Sequence, residues 1–151
     1  MPKASVKRLI ECNKNQLIDL VLDIEKYPDF VPFCLDAHVY ERKNEGDLIL
    51  IIADLTIGKG PFKDTYKSDV KFSKKDNTIK VTNIGGPLNH LENIWHFKEQ
   101  EKGTEISFDI DFEIENKFLN IVMTKSFQFG LDKIADAFQK RAEELFNNSK
   151  N

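Results

Sequence analysis

The C-terminal stretch Asn116–Asn147 constrains the fold more than any other part of the chain, because it is predicted to form one long amphipathic helix. Asn116 is the predicted N-cap. Apolar residues recur at steps of three and four, which is the period of one helical face; they are Phe127, Leu131, Ile134, Phe138, Ala142 and Leu145. Such a helix would be about 45 Å long, so it needs a large apolar surface to cover its stripe.

The stretch between residues 5 and 115 supplies that surface as a series of strand-like segments. The predicted strands are Ser5–Cys12, Leu35–Lys43, Asp47–Ile57, Phe62–Phe72, Thr78–Ile84, Leu91–Lys98 and Thr104–Glu115. Links of hairpin length make the last six strands antiparallel. Most alternate apolar with polar residues, which predicts one face towards the helix and one towards water. Asp47–Ile57 is almost continuously apolar and is predicted to be covered on both faces. Asn13 is predicted to cap a short helix over Asn15–Glu25.

Length and composition limit what this chain can do. Its 151 residues predict a single domain over 1–151. A net charge of −3 gives no overall electrostatic case for nucleic-acid binding. Cys12 and Cys34 form neither a disulfide framework nor a metal-ligand spacing. The apolar runs are too short to span a membrane and the first residues lack signal-peptide character, so an intracellular, reduced setting is expected.

Catalytic motifs are hard to find in this sequence. His38, His90 and His96 fall on different strands without the spacing of metal ligands, which predicts no metal site. The Gly58–Gly60 turn lacks the length, the Ser/Thr and the helix of a phosphate loop. Asp64 is the one acid that the alternation directs inward beside aromatic residues, so it is the single candidate for an acid or base. We therefore expect a protein that is not an enzyme, with no catalytic residue.

The inward positions of the strands are bulky and aromatic, and twelve of the sixteen aromatic residues are Phe. The aromatic positions concerned are Phe62, Tyr66, Phe72, Trp95, Phe97, Phe108 and Phe112. A solid core is the ordinary explanation for any one of them. The inward polar residues Asp64, Ser68 and Asn93 favour an apolar cavity with a few polar groups, the usual form of a small-molecule site.

Two further stretches are apolar without an evident packing role. The loop Tyr27–Cys34 contains two prolines, yet it is rich in aromatic residues. The first half of the C-terminal helix, from Phe118 to Phe129, is apolar on almost every side. We expect the two stretches to lie together as an apolar mouth, beside an anchor formed by Leu131–Leu145.

The order of elements and two motifs resemble the coenzyme Q-binding START-domain family. This family lies within the helix-grip superfamily of polyketide cyclases and birch-pollen allergens, and its bacterial branch contains RatA-like ribosome association toxins. The first motif is Tyr-Pro-Asp-Phe-Val-Pro-Phe-Cys over 27–34, and the second is Gly-Pro-Leu-Asn-His-Leu-Glu-Asn-Ile-Trp-His-Phe over 86–97. Leu88 and Phe33 depart from the Phe and Trp often found there. The similarity runs from Lys3 to about Phe146.

The resemblance implies an α+β helix-grip (START-like) fold. In it a seven-stranded antiparallel sheet wraps around a long C-terminal helix, with one or two short helices after the first strand. It also implies non-catalytic binding and delivery of ubiquinone (coenzyme Q) or a similar polyprenyl lipid for respiratory electron transport. The expected location is cytoplasmic, with peripheral contact at the inner membrane. The predicted ligand-binding residues are Tyr27, Pro28, Phe30, Val31, Pro32, Phe33, Phe62, Tyr66, Asn93, Trp95, Phe97, Phe108, Phe118, Val122, Phe127, Leu131 and Phe138.

Two alternatives stay open on the sequence alone. One is a RatA-like toxin that binds the ribosome and blocks subunit association. Lys63, Lys67 and Lys71 on one strand face favour it, and the net negative charge counts against it. The other is a cyclase- or hydrolase-like enzyme of the same fold, for which Asp64 is the candidate group, since fold alone does not decide function.

Overall fold

A computed structural model describes residues 3–59, 62–85, 88–114 and 131–147. Seven antiparallel strands form one sheet in the order β1-β7-β6-β5-β4-β3-β2. The strands are β1 (Lys3–Ile10), β2 (Cys34–Glu45), β3 (Leu48–Lys59), β4 (Phe62–Ser73), β5 (Thr78–Gly85), β6 (Leu88–Gln100) and β7 (Gly103–Ile114). The predicted antiparallel sheet of seven strands is confirmed.

The sheet is a chain of hairpins from β2 to β7, closed on one side by β1. In register, Val6 of β1 lies opposite Phe108 and Ile10 lies opposite Thr104. The β6–β7 turn comes close to the end of β1 at Gly103, which has a φ of +150°. A Cβ atom there would lie 2.1 Å from the Ile10 carbonyl oxygen. The turn and β1 can therefore meet only at a residue without a side chain.

A capped helix and a 3₁₀ helix connect β1 to β2. Helix α1 spans Lys14–Leu22, and its N-cap Asn13 forms a capping box with Gln16. The Asn13 side-chain oxygen accepts from the Gln16 backbone N–H at 2.8 Å. The predicted end at Glu25 is wrong, because Asp23 leaves helical geometry at ψ 65°. The chain continues as a 3₁₀ helix over Ile24–Asp29, which accommodates Pro28.

The C-terminal helix is described from residue 131 to 142 and is called α2. Its predicted start at Asn116 lies outside the described residues. The predicted stripe holds for Leu131, Phe138 and Ala142, which are buried. It fails at Leu145, which is 49% exposed. The last turn, Glu143–Asn147, is a π-helix, and its wider turn rotates Leu145 off the stripe and leaves Phe146 against the core instead.

The core lies between α1, α2 and the inner face of the sheet. Its fully buried large side chains are Leu17, Ile51, Ile79, Leu131 and Thr104. The alternation predicted for β4, β6 and β7 agrees with the register, since Phe72, Ile79, Trp95 and Phe108 form one row across four strands. The predicted cover on both faces of β3 holds only in part among the described residues. On the outer face Leu48 is exposed and Leu50 and Ile52 are half-buried, whereas α1 and α2 pack against the inner face.

Candidate functional site

One half of the inner face is a close-packed aromatic cluster centred on Trp95. Its ring lies 4.3 Å from Phe108 and 5.2 Å from Phe138 of α2, centroid to centroid, and is stacked on Phe97 at 6.4 Å. All four side chains are buried. Adjacent inward positions on β6 and β7 supply three of the rings, and the helical stripe supplies the fourth. Here the helix and the sheet are in direct contact.

The Tyr27–Cys34 loop joins this cluster from the other side of Phe138. The Tyr27 and Phe30 rings lie edge-on to Phe138 at 5.4 and 5.1 Å. The Tyr27 hydroxyl donates to the Val21 carbonyl oxygen at the end of α1. Burial raises the pKa of this phenol above its ordinary value, with smaller contributions from the charges of Cys34 and Asp23. Tyr27 thus fixes the loop to α1 as a neutral donor.

Little space remains within this half of the molecule. The cavity between the cluster, α2 and β1 has a volume of about 20 Å³, which is on the order of a single water molecule. Arg8 closes its edge, because its guanidinium donates to the Asp136 carboxylate of α2 at 2.6 Å and lies 3.8 Å from Asp132. Arg8 was not among the predicted site residues, although the alternation of β1 places it on the same face as Val6 and Ile10. Among the described residues this half is therefore a closely packed anchor, and this cavity is too small for a quinone ring.

The other half of the inner face carries polar side chains among half-exposed apolar ones. We call Tyr66, Ser68, Asn83 and Asn93 the polar inner patch. Ser68 and Asn83 lie opposite each other on β4 and β5. Tyr66 lies two residues before Ser68 on β4, and Asn93 lies on β6. Asn83 accepts from the Leu91 backbone N–H at 2.8 Å. Asn83 was not among the predicted site residues, although it follows Ile79 and Val81 at the next inward position of β5.

Asn93 is the least satisfied residue of the polar inner patch. Its neighbours in register are Val81 and Ile110, both apolar and half-buried. Its Oδ1 atom is buried and has no hydrogen-bond partner among the described residues. A buried amide oxygen without a partner costs roughly 1–3 kcal/mol. An amide has an acceptor at one end and two donors at the other, and a half-turn of the group exchanges them, so this position suits a ligand with either character.

Tyr66 completes the patch as a second neutral group. It is half-buried, and burial raises the pKa of its phenol, with a smaller contribution from the charge of Asp64. The hydroxyl therefore stays protonated at physiological pH and can donate a hydrogen bond. Asp64 itself is exposed on β4.

The predicted ligand-binding residues fall into four groups. Those buried in or beside the aromatic cluster are Trp95, Phe97, Phe108, Leu131 and Phe138. Those half-buried at the loop or in the polar inner patch are Tyr27, Pro28, Phe30, Val31, Pro32, Tyr66 and Asn93. Phe33 is exposed, and Phe62 pairs with Lys59 at the β3–β4 turn. Phe118, Val122 and Phe127 lie outside the described residues. That the residues of all four groups bind one ligand stays a prediction.

The larger depressions described are open grooves on the outside. One of about 770 Å³ runs between the start of α1 and the β6–β7 turn, and it is lined mainly by charged and amide side chains. Another of about 490 Å³ lies between Phe30, Pro32 and the outer face of α2. A lipid site is usually enclosed and apolar, whereas both of these grooves are open to solvent. The inner face therefore remains the candidate site.

The described residues contain no cluster of three or more His, Cys, Asp or Glu side chains arranged to hold a metal ion. Within the same residues, no helix is long and apolar enough to cross a membrane.

The sequence and the fold are both similar to those of known proteins. The sequence profile for polyketide cyclase / dehydrase and lipid transport matches residues 12–139. The chain belongs to this family. A structure of a START superfamily protein from Mycobacterium smegmatis matches with a TM-score of 0.80 over 96% of this chain and 99% of that one. At 18% identity that match shows the fold alone. The predicted START-like helix-grip fold and family are thus confirmed.

Two relatives of this family carry functional names. The ribosome association toxin RatA of Rickettsia prowazekii is 30% identical over 91% of this chain and 94% of its own length. The mitochondrial coenzyme Q-binding protein COQ10 of Dictyostelium discoideum is 33% identical over 89% of this chain. The match spans 66% of that protein. The family therefore includes relatives named for quinone binding and for ribosome association, and its own description names both enzymes and lipid carriers.

Replacing Trp95 with Ala tests whether the aromatic cluster is a solid anchor. Because the ring is buried against three other aromatic rings, we expect the free energy of unfolding to fall by about 3–5 kcal/mol. Leu145→Ala is the control, and we expect a change within about 0.5 kcal/mol because that side chain is exposed. Urea denaturation of both variants measures the difference. A loss below about 1.5 kcal/mol for Trp95→Ala would indicate that the ring lines open space.

Proposed function

We propose that this protein binds ubiquinone or a similar polyprenyl lipid on the inner face of its sheet and carries it for respiratory electron transport. The observation that carries the proposal is the buried end of the Asn93 amide, which lacks a partner among the described residues and lies between Val81 and Ile110; a half-turn of the amide places its NH2 group there as a donor to a quinone carbonyl. It marks a point where a polar group of a mainly apolar ligand would be recognised. The relative named as a coenzyme Q-binding protein supports a quinone as that ligand.

The head group is proposed to lie against the polar inner patch. A quinone ring carries two carbonyl acceptors and no strong donor, so it needs neutral donors set in an apolar surface. The Tyr66 hydroxyl and the Asn93 amide group can each supply one. Both are neutral, and a neutral site avoids the cost of burying a charge beside an uncharged ligand.

The tail is proposed to run away from the anchor. The aromatic cluster fills the inner face at the row of Ile79, Trp95 and Phe108, which leaves no depth for an isoprenoid in that direction. Half-buried apolar side chains continue the inner face the other way, at Leu55 and Ile57 of β3. An isoprenoid chain needs only such apolar walls.

No catalytic step is proposed. The family description names enzymes as well as lipid transport. That this protein catalyses no reaction is therefore part of the proposal. Asp64, the candidate acid, is exposed to solvent, whereas an acid or base usually works in an enclosed site where burial tunes its pKa. The proposed location is the cytoplasm, with peripheral contact at the inner membrane, since ubiquinone is itself a membrane lipid.

Asn93→Leu tests the head-group position. The change keeps the branched shape of the side chain and removes the unsatisfied polar group, so we expect the free energy of unfolding to rise by about 1 kcal/mol. Loss of the hydrogen bond to the quinone should lower the bound lipid about tenfold. The measurement is organic extraction of protein purified from a quinone-producing host, followed by mass spectrometry. Asn15→Leu, on the exposed side of α1, is the control.

Two results would count against these statements separately. The absence of any prenyl lipid from the wild-type protein would remove the carrier function. A full lipid load in Asn93→Leu would leave the carrier function in place and remove the proposed head-group contact.

A second function, binding to the ribosome, is favoured by the relative named RatA and by the outer face of β4 and β5. Lys71 and Lys80 lie directly opposite each other there, and both are exposed. Lys63 and Lys67 extend the row along β4. Like charges opposite each other destabilise a sheet. Glu92 of β6 lies 3.9 Å from Lys80 and offsets part of this repulsion, and a polyanion such as ribosomal RNA would neutralise the rest.

Sucrose-gradient profiles with added protein test this second function. If it holds, the wild-type protein lowers the peak of joined subunits, and the double variant Lys71→Glu/Lys80→Glu does not. Lys102→Glu, at the β6–β7 turn, is the control and should act as the wild type does. Profiles that the wild-type protein leaves unchanged would eliminate this function.

A further inference from the structure

Phe33 is held in an unusual backbone conformation. Its φ is +67°, in the left-handed region that bulky residues rarely adopt. Its carbonyl oxygen accepts from the Gly58 backbone N–H at 2.9 Å, which fixes this conformation against the end of β3. The ring is 39% exposed. A strained backbone here therefore supports an aromatic side chain that the core does not cover, and such strain is concentrated at functional positions.

Leu35 follows two residues later at a β-bulge. Cys34 pairs with Ile57 and Asp36 pairs with Thr56, so Leu35 has no opposite residue in β3. Its side chain is 51% exposed. Bulges redirect side chains at sheet edges, and β2 is an edge strand. A second, independent irregularity thus exposes a second large apolar side chain.

A third irregularity lies at the same end of the sheet. On β5, Asn83 pairs with Ser68 and Gly85 pairs with Lys67, so Ile84 is also a bulged residue. It is 53% exposed. The start of β2 and the end of β5 belong to one end of an antiparallel sheet. Three strand spacings and an offset of about three residues along the strands put them about 17 Å apart.

We propose that Phe33, Leu35 and Ile84, here called the apolar edge, dock this protein on a lipid bilayer. The docking rests on the proposed carrier function, because it brings the inner face to the membrane that holds the lipid. The apolar edge exposes roughly 250 Å² in total, since a large apolar side chain carries on the order of 150–200 Å². A stable protein partner would need about 800 Å² per side, so the edge fits shallow insertion into lipid better than a second copy of the chain.

The charges beside the apolar edge set the lipid preference. Lys63 and Lys67 of β4 lie between β2 and β5 at this end and are exposed, but so are Asp64 and Asp36. Two cations balanced by two carboxylates give no strong attraction to anionic head groups. Docking is therefore driven by apolar insertion and proceeds on neutral phosphatidylcholine vesicles as well as on vesicles containing phosphatidylglycerol.

Vesicle flotation of the full chain tests the proposal with a matched pair of double variants. Phe33→Asn/Leu35→Ser removes two side chains of the apolar edge, and Asn tolerates the left-handed conformation. Leu9→Ser/Leu48→Ser removes two exposed leucines at the opposite end of the sheet. We expect the first variant to lower the vesicle-bound fraction about tenfold, and the second to leave it unchanged. Equal flotation of the two variants would overturn the proposal.

Three accompanying measurements keep the outcomes separate. Circular dichroism melting should show both double variants folded. If Phe33→Asn/Leu35→Ser unfolds, Ile84→Ser alone is tested and should still lower flotation. Mass spectrometry should show that Ile84→Ser, which leaves every predicted ligand-binding residue intact, keeps its bound lipid, which separates docking from binding, whereas absence of lipid in all proteins removes the carrier function. Light scattering that shows a wild-type dimer broken by the edge variant would overturn the bilayer assignment in favour of a second copy.

Discussion

The insertion of Phe138 between the sheet and the 27–34 loop is the contact on which the rest of the structure depends. Its ring touches Trp95 on one side, and Tyr27 and Phe30 on the other. One side chain therefore joins α2, the centre of the sheet and the connection between α1 and β2. The ion pair from Arg8 to Asp136 fixes the same turn of the helix to β1. Together they hold α2 across the inner face.

This anchor divides the inner face into two parts with opposite physical character. Around Trp95 the packing is close and leaves a cavity of about 20 Å³. Beyond it, at Tyr66, Asn83 and Asn93, polar groups lie among half-buried apolar residues. A uniform core would be more stable, because an unsatisfied amide oxygen costs free energy. A tightly packed anchor offsets that cost, so the second part can keep the polar groups at which ligand binding is proposed. The bulges that expose Leu35 and Ile84 lie at the same end as this second part.

Much of this arrangement follows from the period of the sequence. Alternation along β4, β6 and β7 placed Ser68, Trp95 and Phe108 inward, because parity is fixed once a strand pairs in register. It could not say that Trp95 is buried among aromatic rings while Asn93, two residues away, is half-buried with an unpartnered amide oxygen, since that depends on where Phe138 reaches the sheet. Nor could it find Leu35 or the left-handed Phe33, because a bulge breaks the period only locally. The π-turn that displaces Leu145 is equally invisible to a 3.6-residue pattern.

The central claim is that one half of the inner face is anchor and the other half binds a quinone. An NMR titration of the labelled protein with a short-tailed ubiquinone tests it most directly. The claim predicts shifts for the Asn93 side-chain amide and for the methyl groups of Val81 and Ile110, with the Trp95 indole N–H unchanged. Shifts confined to the Trp95 indole and its neighbours, or no shifts at all, would contradict it.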